Sequence, residues 1–166
     1  MKYPLYEVSI PVFIRSLESL RKIVRKAARY APRKKIKMST LLTARLAPDM
    51  YTLTQQVQYA YFMALETAVN LSGRPMPQDF KYDEKTLTEL DHSLKKAIAF
   101  LKTITPRSCA STTGTVKTFL HPTKKFKKDF YATQLALPNF FFHVTTAYDI
   151  LRSKGIPLKK DDYLGF

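Results

Sequence analysis

Apolar residues recur at helical spacing in four stretches of the chain. From Ile10, the positions Phe13, Leu17, Leu20, Val24 and Ala27 trace a stripe down a first helix of about six turns, which Pro32 closes. On another side of that helix Arg15, Lys22, Arg25 and Arg29 follow at spacings of seven, three and four, a basic ridge that Arg33, Lys34, Lys35 and Lys37 extend. Ser39 is placed to cap a short helix, TLLTARLA, that Pro48 stops or kinks. Asp49 then starts a second long helix with Met50, Leu53, Val57, Ala60, Ala64, Ala68 and Leu71 on one side, ended by Gly73 and Pro75. Leu87, Leu90, Leu94, Ala97, Ile98, Leu101 and Ile104 form a third, ended by Pro106. A last helix is expected from about Asp129 to Lys154, with Gly155 as its breaker and a kink at Pro138, whose missing N–H frees the carbonyl of Gln134.

Only residues 105–128 break this rhythm. They are polar and β-branched, and TVKTFLHPTKKF reads as two extended pieces around His121 and Pro122, a small hairpin. The closing GIPLKKDDYLGF is expected to fold back with Leu164 and Phe166 as apolar anchors. Four long amphipathic helices without a sustained strand pattern predict an all-α four-helix bundle, one domain over residues 1–166, with any internal site built by side chains from facing helices.

Composition narrows this picture. A chain of 166 residues, 45% hydrophobic, is long enough for one buried core. The single Cys109 excludes an internal disulfide and fits a reducing compartment. Glu7, Ser9 and Pro11 interrupt the apolar residues of the opening segment, and no run has the length of a transmembrane segment, so a soluble cytoplasmic protein is expected. Lys+Arg 28 against Asp+Glu 13 gives a net charge of +15, a field that draws polyanions, whether nucleic acid or an anionic membrane. KTFLHPTKKFKKDF, with Phe119, Phe126 and Phe130 among its lysines, is the stretch best suited to meet one. The simpler alternative turns those phenylalanines inward over the bundle.

Chemistry concentrates on the last helix. Asn139, His143 and Thr146 share one face, flanked by Leu135, Ala147 and Ile150 and followed through Phe140 to Phe142, so an amide, an imidazole and a hydroxyl point into an apolar interior. No GxSxG, GxGxxG or Walker pattern occurs, and Cys109 has no motif around it. Asp83 with Glu84 and Asp161 with Asp162 read as a helix start and a solvated tail rather than as paired catalytic carboxylates.

The segments LLTARLAPDMYTLTQQVQYA, residues 41–60, and LPNFFFHVTTAYDILRSKGIPLKKDDYLG, residues 137–165, resemble signature segments of DUF1993, an uncharacterised family within the DinB/YfiT-like helical-bundle superfamily. The resemblance spans the chain, although residues 105–130 match only in layout. It implies a four-helix bundle, often dimeric, whose metal-binding relatives place one histidine on the second long helix and two, four residues apart, on the last. Here the second of that pair corresponds to His143, the first to Asn139, and the second-helix partner to a glutamine, Gln58 or else Gln56. One imidazole with two amides is a poor transition-metal set, so neither a metal nor another cofactor is expected. His143 is then either a core histidine satisfied by its neighbours, or part of a polar cluster that binds a small organic ligand and acts as acid or base. Arg45 and Asp49, within the matched ARLAPDM, either clamp the chain by an ion pair or face the pocket mouth; the clamp satisfies both groups.

Overall fold

The computed structural model of the protein describes residues 4–166, so the first three residues of the opening segment lie outside it. Four long helices form the bundle: α1 (Ile10–Arg33), α3 (Leu53–Ser72), α4 (Leu87–Leu101) and α6 (Leu137–Ser153). Short α2 (Met38–Leu42) precedes α3, and short α7 (Lys160–Leu164) follows α6. Strands β1 (Thr115–Thr118) and β2 (His121–Lys127) make an antiparallel hairpin with a register shift between Val116 and Thr118. One turn, α5 (Lys128–Phe130), then leads through a π-helical segment, Tyr131–Ala136, directly into α6.

The stripes read from the sequence are the core. Phe13, Leu17, Leu20, Val24 and Ala27 of α1, and Leu87, Leu90, Leu94 and Leu101 of α4, are buried. α1 packs most extensively on α4, and α3 on α6. α3 offers Ala60, Ala64 and Ala68 to its neighbours, and such small side chains let helices approach closely. Phe13 meets Phe140 edge to face at 4.7 Å between ring centroids, joining α1 to α6 through the centre. A bidentate ion pair of Arg21 with Asp91 ties α1 to α4 at the surface, and Lys26 with Asp162 ties α1 to α7.

Three local expectations differ from the fold. Ser39 lies inside α2, whose N-cap is Lys37, and the helix stops before Thr43 rather than at Pro48. The second long helix begins at Leu53, not Asp49. Thr52 is its cap, its hydroxyl accepting from the Gln55 N–H while the Gln55 side chain accepts from the Thr52 N–H, a reciprocal box that satisfies two otherwise orphaned donors. Met50 therefore belongs to the preceding loop. At the C-terminus Ile156 and Leu158 are the buried anchors; Leu164 is half-buried, and Phe166 is 88% exposed, its ring 5.9 Å from the Arg15 guanidinium carbon. The short α7 brings it to that surface instead of the core.

The Phe13–Phe140 contact predicts a large asymmetry between adjacent phenylalanines. Phe140→Ala is expected to lower the unfolding free energy in urea by about 3–5 kcal/mol, as a cavity-forming change. Phe142→Ala, at a position exposed to solvent, is expected to cost under about 1 kcal/mol. Equal losses from the two variants would contradict this core.

Candidate functional site

α3 and α6 run antiparallel, with His143 level with Gln56 and Tyr131 level with Glu66 and Thr67. The imidazole of His143 is buried, and its Nδ1 lies 2.6 Å from Oε1 of Gln56. The amide nitrogen of Gln56 is directed to the carbonyl of Tyr51 at 3.4 Å, which leaves the amide oxygen for the ring; Nδ1 therefore carries the proton and donates. Three near-parallel rings surround this bond. Tyr59 stacks on His143 at 5.2 Å and on Tyr51 at 4.7 Å between centroids, and the Tyr51 hydroxyl donates to that of Tyr59 at 3.3 Å. Burial pushes the His143 pKa down to about 4, so the ring is neutral at physiological pH.

The other sequence candidates separate. Gln58, two residues on and so nearly opposite Gln56 around the helix, donates from Nε2 to Glu84 at 2.7 Å, so the glutamine that meets His143 is Gln56. Asn139 is half-buried one turn before His143, and its Nδ2 has no hydrogen-bond partner among the described residues. The Thr146 hydroxyl donates back to the carbonyl of Phe142, within its own helix. Arg45 and Asp49 are both exposed and form no ion pair among the described residues; the Arg45 guanidinium instead donates to the Met50 carbonyl, pinning the loop that delivers Tyr51. His92 and His121 are exposed and stand on other elements.

The cavity itself lies beside this cluster, not around the imidazole. It measures about 330 Å³ and is lined by Gln55, Gln58, Tyr59 and Phe62 of α3, Tyr82 of the 73–86 loop and Phe119 of the hairpin turn. His143 stands behind this lining, its ring stacked on that of Tyr59. Two carboxylates, half-buried Glu84 of the 73–86 loop and buried Glu66 of α3, hold its walls. Glu84 accepts from Gln58 Nε2 and from the Tyr61 hydroxyl at 2.8 Å, fixing the loop that carries Tyr82. Burial pushes the Glu84 carboxyl up, but hydrogen bonds from Ser93, Gln58 and Tyr61 outweigh it and hold the group below the usual carboxylate range. Glu66 accepts from the Thr118 hydroxyl at 3.0 Å, the Phe119 N–H at 2.5 Å and the Tyr131 hydroxyl at 3.1 Å, fixing the hairpin turn. Phe119 is thereby held 64% exposed at the mouth, and Phe130 is also exposed, so these rings do not turn inward.

Glu84, Glu66, Tyr59, Phe62 and Tyr82 were not singled out by sequence reasoning. The signal for the α3 residues is a second stripe, Gln55, Gln58, Tyr59, Phe62 and Glu66, at helical spacing on the side opposite the small residues. Glu84 and Tyr82 reach the site through a loop, and no local pattern encodes that.

Four long helices, with an imidazole and an amide meeting between α3 and α6, make a DinB-like helical bundle. The chain belongs to the DUF1993 family, described as a domain of unknown function, which matches residues 5–164. Its structure is similar to the crystal structure of a DinB family member protein from Shewanella denitrificans, with a TM-score of 0.91 and 33% identity over 98% of this chain and 92% of that one. No curated protein matches the chain.

The metal centre that the superfamily resemblance implies does not fit this donor set. Asn139 and Gln56 offer amides where imidazoles are required, and Gln58 is committed to Glu84. Among the described residues no three His, Cys, Asp or Glu side chains gather closely enough to share an ion.

A His143 pKa depressed from its ordinary value near 6.5 has a definite sign. Between the two values the unfolded chain binds a proton that the folded chain does not, so this group's stabilisation is complete above about pH 6.5 and is lost as pH falls towards about 4. A loss on the order of 2 kcal/mol is expected across that window, and His143→Gln should remove that part of the slope in urea titrations. NMR titration of the ring resonances checks it directly: a midpoint near 6.5 would contradict a desolvated imidazole.

Proposed function

We propose that this protein binds a small organic molecule in the cavity between α3, the 73–86 loop and the hairpin turn. The supporting observation is the cavity itself: its volume lies in the range of small-molecule sites, and its lining combines four aromatic rings with two side-chain amides. In this reading the polar centre between α3 and α6 is a support. Gln56 orients the His143 ring, the ring backs Tyr59, and Tyr59 meets the ligand. His143, neutral and with Nδ1 already donating, acts as a positioning residue rather than as an acid or base.

Indole is a suitable neutral probe. Titrated into the protein at millimolar concentration, it is expected to shift the backbone amide resonances of Gln55, Tyr59, Phe62 and Phe119 in one saturable step, with Phe62→Ala weakening that step about tenfold. Shifts confined to other surfaces, or none, would count against the pocket.

A second reading follows from the exposure of Phe119, Leu120 and Phe130 beside the exposed Lys117, Lys124, Lys125 and Lys127: the hairpin and the α1 ridge bind a polyanion. Heparin affinity is then expected to fall steeply and log-linearly with salt, with a shallower slope when Lys124 and Lys125 are both changed to Ala. Weak binding at low salt would dispose of it.

A further inference from the structure

We propose that the cavity is an aromatic box for an organic cation, a quaternary or alkylated ammonium group carried by a small molecule. This rests on the cavity being the ligand site and adds the chemical class of what it takes. Phe62 stands edge-on to each of the other three rings, at 80° to Tyr59, 75° to Tyr82 and 79° to Phe119, with centroids 6.3, 5.9 and 5.6 Å away. Four rings in at least two orientations thus line one space, and ring faces are the surface that attracts an alkylated ammonium group. A flat neutral ligand would be served better by parallel walls.

Charge supports the same class. The chain has 28 lysines and arginines, and among the described residues none lines this cavity. Two carboxylates stand one hydrogen bond behind the lining, Glu84 behind Gln58 and Glu66 behind the Phe119 backbone. Because Gln58 spends its amide N–H on Glu84, its carbonyl oxygen is the end left for the cavity, an acceptor backed by a negative charge. An anionic ligand would meet ring faces and this acceptor without a single basic partner. The long-range positive field opposes a cation, but at physiological salt it is screened over about 8 Å, whereas the rings and Glu84 act at contact range.

The remaining features hold the box open. Tyr82 is placed by a left-handed backbone conformation, φ 56°, that a tyrosine rarely adopts, and it stacks on Tyr61 at 5.3 Å. Burial and the nearby Glu84 charge push its phenol up to about 12, so it presents a neutral ring. Phe119 is held by its own N–H on Glu66 and by the contact of its ring with Phe62, and most of the ring stays exposed to meet a ligand.

The test compares choline with 3,3-dimethylbutan-1-ol, its neutral isostere of the same shape, by amide-shift titration of the full chain. Choline is expected to bind about fivefold or more tightly than the alcohol at the cavity residues. Phe119→Leu, at an exposed position that leaves the fold intact, is expected to weaken choline several-fold while leaving the alcohol nearly unchanged, because leucine keeps apolar surface but not the ring face. Phe62→Leu should act in the same direction. Equal affinities for the two isosteres, or equal losses for both in Phe119→Leu, would overturn the cation assignment while leaving an organic-ligand pocket. Absence of binding by choline, the alcohol and indole alike would overturn both. Binding of a trimethyl-lysine peptide but not of choline would move the ammonium from a free molecule to a protein side chain and overturn the small-molecule assignment.

Discussion

Four polar side chains on α3 are buried; the Thr67 hydroxyl bonds back to the Met63 carbonyl, whereas Gln56, Gln58 and Glu66 are each satisfied by a different part of the chain. A buried amide or carboxylate left without a partner costs about 1–3 kcal/mol or more, so each of them fixes its partner segment in place. Gln56 sets the rotation of α6 through His143. Gln58 sets the 73–86 loop through Glu84. Glu66 sets the hairpin and the start of the last helical rod through Thr118, Phe119 and Tyr131. The cavity is what remains where these segments meet, and its walls are as well defined as those hydrogen bonds. One face of α3 is an alanine surface for the bundle; the other is a row of polar anchors for everything that is not bundle.

Amides beside a single imidazole suit the interior to hydrogen bonding rather than to metal coordination. An amide cannot supply the nitrogen lone pair that a soft or borderline metal ion needs, but it offers a donor and an acceptor together. That is suited to orienting one neutral imidazole, and Gln56 does so by placing its nitrogen on the Tyr51 carbonyl and its oxygen on His143. The result is a stack of Tyr51, Tyr59 and His143 beside the Gln56 amide. Asn139, one turn earlier on α6, has a buried amide nitrogen with no hydrogen-bond partner among the described residues.

The bundle was legible because helical periodicity is local: Leu87, Leu90, Leu94 and Leu101 announce one buried face whatever packs against it. The start of α3 was also written locally, in Thr52 and Gln55, but Asp49 offers an equally plausible cap signal three residues earlier. What decides between them is that the Leu53 N–H bonds the Ala44 carbonyl, a contact that no window of sequence contains. The site was half legible. His143 could be placed indoors from its helical face, yet whether it faces Gln56 or Gln58 depends on the rotation of α3 by a fraction of a turn. Glu84 resembled a helix start because its neighbour is acidic and a helix follows; its true partners, Gln58 and Tyr61, lie more than twenty residues away.

The π-helical segment before α6 shows the same interplay of local rule and distant contact. Pro138 lacks the N–H that an α-helix would use, and a kink was the local expectation. The chain instead widens its hydrogen bonding just upstream, over Tyr131–Ala136. Tyr131 and Ala136 are five residues apart, which an uninterrupted α-helix would set about 140° apart around its axis, yet both are buried in one small cluster with Val116 of the hairpin. The wider turn brings the two onto a common side. With Tyr131 inward, its hydroxyl reaches Glu66, and with Ala136 inward, the rod continues in phase to Phe140, His143 and Ala147. An ideal α-helix would have to surrender either the Glu66 contact or the Gln56 contact. The irregular turn keeps both ends of α3 engaged with a single helical rod, and the cavity lies between those two engagements.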